Sequence, residues 1–307
     1  TQAQVTDIYL FEMEDRTAES RVPDVREVSN YVRALDYGLK RSLELPVCLR
    51  MLRELHEILL KDVRGEQRAA GEFRKVQNWV GSKGCPIEQA SYVPPSPDTM
   101  LAALDAFEKF VNSPLGEIPV LVWLAMVHYQ FEAIHPLLDG NGRIGRLLIT
   151  LLLCVKGLLD KPLLYLSAYF ERRREEYYER LLQVSLKGQW LEWILFFLRG
   201  VTEQSTDAFE RSRQLMDLQQ EYHKIVHVTK RSALQIRLVD LLIERPVVTT
   251  VFVSKYFKVT YPTAKNNIAR LIRAGILREA SGAKRCRIFI AEKVLEIINK
   301  PFGRDYR

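Results

Sequence analysis

Apolar residues recur at spacings of three and four along the chain to about residue 230, and this is the period of an amphipathic helix. The predicted helices cover residues 24–43, 49–61, 99–111, 119–134, 143–156, 168–186 and 189–211. Asp98 is expected to cap the third of these helices, and Gly157 to end the fifth. The pattern therefore predicts a mainly α-helical fold.

One segment, residues 81–97, interrupts the helical pattern. Its glycines and prolines are Gly81, Gly84, Pro86, Pro94, Pro95 and Pro97. Because proline disrupts a helix, a short β-hairpin or an extended flap is expected there. A proline-rich connector is the alternative.

Beyond residue 230 the predicted elements become shorter. Helices are predicted over residues 234–243, 251–257 and 262–274. Two strand-like runs follow around Ser281 and Gly282, and this is a hairpin signal. Three helices and a hairpin are the order of a winged helix-turn-helix. We therefore expect a helical domain over residues 1–215, a linker helix over 216–232 and a small winged helix-turn-helix domain over 233–307.

Composition narrows the class of protein. A chain of 307 residues is long enough for two domains, or for one large domain and an appendage. Hydrophobic residues make up 47% of it, so a sizeable core can be buried. No apolar run is long enough to span a bilayer and no signal peptide is visible, so no membrane partner is expected. The four cysteines lie far apart without a C-x-x-C pair, which favours reduced thiols in the cytoplasm. A net charge of +7 is a mild bias towards nucleotides or nucleic acid.

The densest group of chemically active residues lies between residues 135 and 146. Gly140 and Gly142 permit a tight turn around Asn141, and a helix follows. Such a turn presents backbone N–H groups at a helix N-terminus, where they bind anions. Arg143 and Arg146 add donors suited to phosphate oxygens.

The same segment also contains a carboxylate and an imidazole. Asp139 is the kind of side chain that holds Mg²⁺ together with phosphate oxygens. His135 has a side chain that titrates near neutral pH and can accept a proton from an attacking hydroxyl. One loop thus offers a base, a metal ligand, a phosphate cradle and a cationic clamp, although an ordinary helix–helix turn is the structural alternative.

The segment resembles the signature of the Fic family, His-x-Phe-x-(Asp/Glu)-Gly-Asn-Gly-Arg-x-x-Arg. The matching positions are His135, Asp139, Gly140, Asn141, Gly142, Arg143 and Arg146. Leu137 stands where the family has Phe; this apolar side chain is expected to repack in the core without loss of activity. Further similar segments are residues 71–74, 77–81, 92–95, 131–132 and 177–178, within a resemblance that covers most of residues 24–200.

The resemblance implies transfer of AMP from ATP to a Tyr, Ser or Thr hydroxyl of a target protein or of the chain itself, with release of pyrophosphate. His135 would be the general base, and Asp139 would bind Mg²⁺ between the α- and β-phosphates. The backbone of residues 140–142 would stabilise charge on the α-phosphate. Arg143 and Arg146 would hold the β- and γ-phosphates.

The resemblance also implies roles around this centre. Tyr177 and Tyr178 would lie near the adenine, with helix packing as the alternative for each. Gly142 stands where a phosphate-transferring branch of the family has Lys, which favours nucleotide transfer. The flap residues Ser91, Tyr92 and Val93 would align the target chain through main-chain hydrogen bonds. A homodimer is compatible with the family.

Many family members carry an inhibitory helix, (Ser/Thr)-x-x-x-Glu-(Gly/Asn), whose Glu pairs with the second motif arginine, here Arg146. Residues 113–117 and 206–210 have the spacing, but neither is followed by Gly or Asn. In the subgroup that this chain resembles, the helix lies near the N-terminus, and the sequence opens at Thr1 about where it would have ended. The expectation is that truncation removed it and that basal activity is high.

The C-terminal part offers a second kind of surface. Lys265, Asn266 and Arg270 would be available for DNA bases or phosphates, and a basic face for protein contacts is the alternative. Lys284, Arg285 and Arg287 would charge the wing. His223 and His227 have the spacing of a metal pair, but without a third ligand a surface helix is favoured.

Two other functions compete with AMP transfer. A DNA-binding regulator could use the Fic-like domain only to sense nucleotide, but sensing would not need His135 as a base. Removal of AMP from a target is the other, and in the family it relies on the inhibitory Glu.

Overall fold

The computed structural model describes residues 23–82, 84–228, 233–280 and 287–300. Its contacts divide these residues into two compact units, with residues 26–205 in the first unit and residues 23–25 and those from Thr206 onward in the second. The predicted domain limits at residues 215 and 232 stay predictions. No helix within the described ranges is both long and apolar enough to cross a membrane.

The first unit is built from helices, as predicted. They are α1 (Pro23–Arg41), α2 (Leu49–Leu60), α3 (Pro97–Asn112), α4 (Val120–Ile134), α5 (Asn141–Val155), α6 (Leu166–Arg172), α7 (Arg174–Lys187) and the start of α8 (Trp190–Val228). Helices α4 and α5 pack against each other at the centre. Trp123, Phe131 and Leu148 are buried in this core, and each such side chain stabilises the fold by about 1.5–3 kcal/mol.

Several helix ends differ from the sequence prediction. The N-cap of α3 is Ser96, whose Oγ accepts a hydrogen bond from the Thr99 N–H at 3.5 Å. The prediction of Asp98 as the cap was therefore wrong; Pro97 begins the helix because its missing N–H costs nothing there. The single helix predicted over 168–186 is broken at Arg173, which has φ −115°.

The flap is extended, and one isolated antiparallel bridge joins Val80 to Tyr92. A short 3-10 helix lies between them at Ile87–Gln89. The Tyr92 hydroxyl donates to the Ala133 carbonyl at 2.8 Å, which fixes the flap against the end of α4. The expected departure from helix is confirmed here.

The second unit contains the rest of α8 and a small sheet. Its other elements are α9 (Ala233–Glu244), β1 (Val247–Thr249), α10 (Thr250–Phe257), α11 (Tyr261–Arg273), β2 (Arg278–Glu279), β3 (Ile288–Ile290) and α12 (Glu292–Asn299). The strands are antiparallel in the order β1-β3-β2, with Phe289 opposite Val248 on one side and Glu279 on the other. Val248 and Phe289 are buried in the core of this unit. The predicted turn residues Ser281 and Gly282 lie outside the described residues.

Candidate active site

The candidate site begins where α4 ends. His135 lies in the left-handed region at φ 49° and ψ 57°, and its N–H donates to the Phe131 carbonyl at 3.1 Å. A side chain other than glycine in this region is uncommon, and such conformations cluster at functional sites. The chain then passes through Pro136 and a short loop into α5.

Asn141 holds this loop in shape. Its Oδ1 accepts from the Leu137 N–H at 2.9 Å, and its Nδ2 donates to the Leu137 carbonyl at 2.7 Å. Leu137 itself is 2% exposed and belongs to the core, so Leu takes the buried place expected for it. The side-chain amide of Asn141 thus bonds within the loop. An anion can be bound only by the backbone N–H of this residue.

The start of α5 is an open helix N-terminus. Gly140 is the N-cap at φ 87° and makes no side-chain cap hydrogen bond. The first N–H groups of a helix have no intrahelical acceptor and attract negative charge. A β-carbon on Gly142 would lie 2.9 Å from Nη1 of Arg146. Glycine at this position therefore gives the Arg146 guanidinium its place beside the first turn.

His135 carries a neutral imidazole. Its Nδ1 lies 3.2 Å from the Glu132 carbonyl, and a carbonyl can only accept, so Nδ1 carries the proton and Nε2 keeps its lone pair. Burial lowers the pKa of His135 to about 4, and the nearby Arg74 guanidinium adds to this lowering. The imidazole is consequently uncharged near neutral pH.

Arg74 ties the flap to the His135 loop, and the sequence analysis did not identify this role. The side chain is 2% exposed. Its Nε donates to the His135 carbonyl at 3.0 Å and its Nη2 donates to the Pro95 carbonyl. Asn78 adds a bond from Nδ2 to the Leu137 carbonyl at 2.9 Å. One short segment thus holds both sides of the site.

His56 is a second supporting residue that sequence reasoning missed. Its Nδ1 accepts from the Gly71 N–H at 3.0 Å, which leaves Nε2 as the donor to the Asp139 carbonyl at 3.0 Å. Burial lowers the pKa of His56, in keeping with a neutral ring. The only signal in the sequence was the resemblance around residues 71–74.

Asp139 and Arg143 form an ion pair, with Nη2 of Arg143 at 3.2 Å from Oδ1 of Asp139. Glu27 of α1 approaches Nη1 of Arg143 at 3.8 Å. A β-carbon on Gly65 would lie 2.7 Å from the other Asp139 oxygen, so bare backbone faces that oxygen. The described residues hold no cluster of three metal-ligating side chains. A single carboxylate completed by phosphate oxygens and water is nevertheless a usual Mg²⁺ arrangement.

A cavity of about 760 Å³ collects most of the predicted site residues. Its wall includes His135, Gly142, Arg146, Ser91, Tyr92, Tyr177 and Tyr178. Tyr177 is buried and its hydroxyl bonds to Nε2 of His128 at 2.9 Å, so it is also a core residue. Tyr178 is 47% exposed, near the Arg174 guanidinium. The flap residue Val93 is exposed. Val93, Asp139 and Arg143 are not part of the cavity lining.

Glu132 also lines the cavity, and the sequence analysis assigned it no role. Burial raises the pKa of its carboxyl to about 7, although the Arg146 charge opposes this.

Two segments have the spacing of the inhibitory helix. Residues 113–117 lie in the turn after α3, and Glu210 lies on α8, where it pairs with Arg213. The expected N-terminal position precedes residue 23 and is outside the described residues.

In the second unit, Lys265 and Asn266 are exposed on α11 and Arg270 is half-buried. The residues predicted to face inward, Ala264, Ile268 and Leu271, are buried. Nε2 of His223 lies 2.8 Å from Oδ1 of Asp240.

Comparisons with known proteins agree with the motif. Residues 46–153 match the model of the Fic/DOC family. A curated relative named protein adenylyltransferase Fic from Drosophila grimshawi is 28% identical over 167 residues, 54% of this chain and 31% of that protein. The one from Aedes aegypti is 30% identical over 165 residues, 53% and 29% of the two chains. The chain thus spans about a third of the length of these relatives.

Two solved structures share the fold. A Fic family protein from Desulfovibrio desulfuricans G20 has a TM-score of 0.52 at 19% identity, over 88% of this chain and 75% of that one. A Fic domain containing signaling protein from Bacteroides thetaiotaomicron has a TM-score of 0.51 at 18% identity, over 67% and 80%.

Proposed function

We propose that this chain, which carries a Fic/DOC domain over residues 46–153, is a protein adenylyltransferase that moves AMP from ATP to a hydroxyl of a target protein or of itself. The observation that carries the proposal is one cavity lined by a neutral His135 whose Nε2 keeps its lone pair, by Gly142 in the first turn of α5 and by Arg146. The printed name of the curated relatives, protein adenylyltransferase Fic, supports it.

The reaction follows from the chemistry of these groups. Nε2 of His135 takes the proton from the acceptor hydroxyl as its oxygen attacks the α-phosphorus of ATP. The bond from that phosphorus to the β-phosphate oxygen breaks, and pyrophosphate leaves. Backbone N–H groups of residues 140–142 stabilise the charge that develops on the α-phosphate oxygens. Arg143 and Arg146 hold the β- and γ-phosphates.

Mg²⁺ is the metal expected in this reaction, and Asp139 is the side chain that would hold it. The donor set fits, because one oxygen of Asp139 lies beside the backbone of Gly65, away from the oxygen that pairs with Arg143, and phosphates supply further oxygens. When bound, Mg²⁺ would offset charge on the phosphates.

The flap would hold the target. Val80 already pairs with Tyr92 on one side of the flap, and Val93 is exposed next to it. An extended target segment that added to the flap through main-chain hydrogen bonds would bring its hydroxyl towards His135.

The test uses ATP labelled either on the α- or on the γ-phosphate, incubated with Mg²⁺ and the chain. The α-label should become protein-bound and the γ-label should not. His135→Ala should abolish incorporation, whereas His223→Ala, a histidine of the second unit, should leave it intact. Incorporation of the γ-label, or equal α-labelling of His135→Ala, would refute the proposal.

A second function is favoured by charge in the second unit, which we propose to be a winged helix-turn-helix that binds duplex DNA. Residues 245–278 contain seven basic and no acidic residues. The net charge of this segment therefore equals the +7 of the whole chain. Five of these cations form no ion pair with described residues: Lys255, Lys258, Lys265, Arg270 and Arg273. Exposed Lys265 and Asn266 lie on α11, in the half that would enter the major groove.

Fluorescence anisotropy with labelled duplex DNA tests this second function. Binding should weaken steeply with salt, because phosphate contacts release counterions. Lys265→Ala should reduce both the affinity and the salt slope, by about one for each phosphate contact. Salt-independent binding, or none at low salt, would exclude it.

A further inference from the structure

Glu132, in the last turn of α4, has a carboxyl group that takes no part in the proposed transfer of AMP. Its Oε1 is buried and has no hydrogen-bond partner among the described residues. A β-carbon on Gly145 of α5 would overlap with this oxygen. The space for the carboxyl therefore exists only because α5 carries a glycine in its interior.

Both features act against stability. Glycine weakens the interior of a helix, and a buried polar atom without a partner loses the hydrogen bonds that water gave it. Native proteins retain few such atoms, and each calls for an explanation such as a catalytic role or an unseen ligand. A carboxyl oxygen without a hydrogen-bond partner among the described residues, in the wall of the candidate site, points to a role in ligand binding.

Arg146 is the charge that acts on Glu132. Its guanidinium lowers the pKa of Glu132, against the burial that raises it to about 7. Arg146 acts on the carboxyl through its charge, and Oε1 of Glu132 has no hydrogen-bond partner among the described residues. The two side chains line the same cavity, so a phosphate placed against Arg146 would also meet Glu132.

The other groups around Glu132 are neutral or exposed. Tyr177 on α7 stays neutral, since burial raises its pKa well above 10. His128, one turn earlier on α4, stays neutral because burial lowers its pKa to about 3. Arg174, Glu175 and Glu179 of α7 line the cavity as exposed side chains.

We propose that Glu132 is a proton-linked counterion of Arg146, and that the polyphosphate of ATP occupies the Arg146 site only when Glu132 carries a proton. The inference rests on the proposed function in taking ATP as the ligand. An ionised Glu132 repels the phosphates and competes with them for Arg146. A protonated Glu132 leaves Arg146 to the phosphates, and ATP binding raises the affinity of the carboxyl for its proton.

The pH dependence follows from linkage. ATP affinity is at its full value while Glu132 is already protonated in the free protein, and it falls as the pH rises above that range. With half-protonation near neutrality, ATP should bind about tenfold more weakly at pH 8 than at pH 6, and binding at pH 8 should take up about one proton. His135 does not titrate between these pH values, since burial lowers its pKa to about 4.

Isothermal titration calorimetry of the full chain tests the proposal. The ligand is the ATP analogue with a methylene bridge between the α- and β-phosphates, which prevents transfer. Wild type, Glu132→Gln and the control Glu192→Gln, an exposed residue of α8 outside the cavity lining, are compared at pH 6 and pH 8, in buffers that differ in ionisation heat. The phosphates of the analogue also titrate with pH, but this contribution is the same for all three chains and does not affect their comparison.

Glu132→Gln imitates the protonated carboxyl. It should bind at pH 8 as tightly as at pH 6 and lose the extra proton uptake, whereas Glu192→Gln should behave as wild type. A Glu132→Gln chain with the wild-type pH dependence would overturn the proposal, as would one that binds weakly at both pH values while its thermal melting is unchanged. Absence of binding by every chain would instead overturn the proposed function, and the proposal with it.

Discussion

At the scale of single residues, the proposed role of His135 as a base depends on two features of its surroundings. The Glu132 carbonyl fixes the proton on Nδ1, and burial together with Arg74 lowers the pKa of the imidazole to about 4. A base of this kind is unprotonated across the physiological range. At saturating ATP the transfer rate should therefore hold down to about pH 5 and fall only below that, as His135 becomes protonated.

Arg74 should be a positioning residue for His135. Arg74→Met removes the charge and the bonds to the His135 and Pro95 carbonyls. The pKa of His135 should rise, so the acid limb of the pH–rate profile should move to higher pH, and the rate should fall by about 10–100-fold through misplacement of the base. Arg74→Lys keeps the charge and should move the limb less. The proposed role is wrong if Arg74→Met keeps both the rate and the acid limb of wild type.

Asn141 should matter for stability as well as for activity. Asn141→Ala removes two hydrogen bonds to Leu137. The Leu137 carbonyl keeps the bond from Nδ2 of Asn78, but the buried Leu137 N–H is left unsatisfied, at a cost of about 1–3 kcal/mol. Its thermal midpoint should fall clearly below that of wild type. The exposed Asn266→Ala should change stability by less than about 0.5 kcal/mol, and equal melting of the two variants would contradict this account.

At the scale of elements, the sequence predicted most of what is local. The apolar period located the main helices, and the glycine-containing loop was correctly assigned between α4 and α5. The Asp98 cap was wrong because Ser and Asp are both good caps and the position of Pro97 decides between them. Strand β1 and helix α12 were missed, since short apolar runs do not distinguish strand from helix.

What the sequence did not predict depends on contacts across large separations. His56 meets Asp139 across 83 residues and Arg74 meets His135 across 61. No local pattern announces such pairs. Glu132 was passed over for the same reason, since its burial depends on Gly145 in the next helix.

Helix α5 offers a test of that packing. Gly145→Ala would stabilise an ordinary helix by about 1 kcal/mol. Here it should destabilise the chain, because the new β-carbon collides with Glu132 and lies close to Phe131. The destabilisation, measured as a fall in thermal midpoint, should be smaller when Glu132→Ala is also present. Stabilisation by Gly145→Ala alone would show that the contact is not tight.

At the scale of the whole molecule, the candidate active site and the basic segment lie in different units. The motif, the flap and the cavity belong to residues 26–205, whereas the seven cations of residues 245–278 belong to the second unit. The two proposed functions should therefore respond to different substitutions.

This separation can be measured on the full chain. Lys265→Glu combined with Arg273→Glu should abolish binding to duplex DNA, because it reverses charge on α11. The same chain should incorporate AMP into itself at the wild-type rate. His135→Ala should do the opposite. Loss of both activities in either variant would contradict independent functions.

Intact-mass spectrometry of the chain and a hydroxyl-bearing target, after incubation with ATP and Mg²⁺, tests whether the chain transfers AMP. The account predicts that wild type adds the mass of one adenosine monophosphate group, with the loss of a water, and that His135→Ala adds nothing. A gain equal to a phosphate group, or the same gain in His135→Ala, would contradict it.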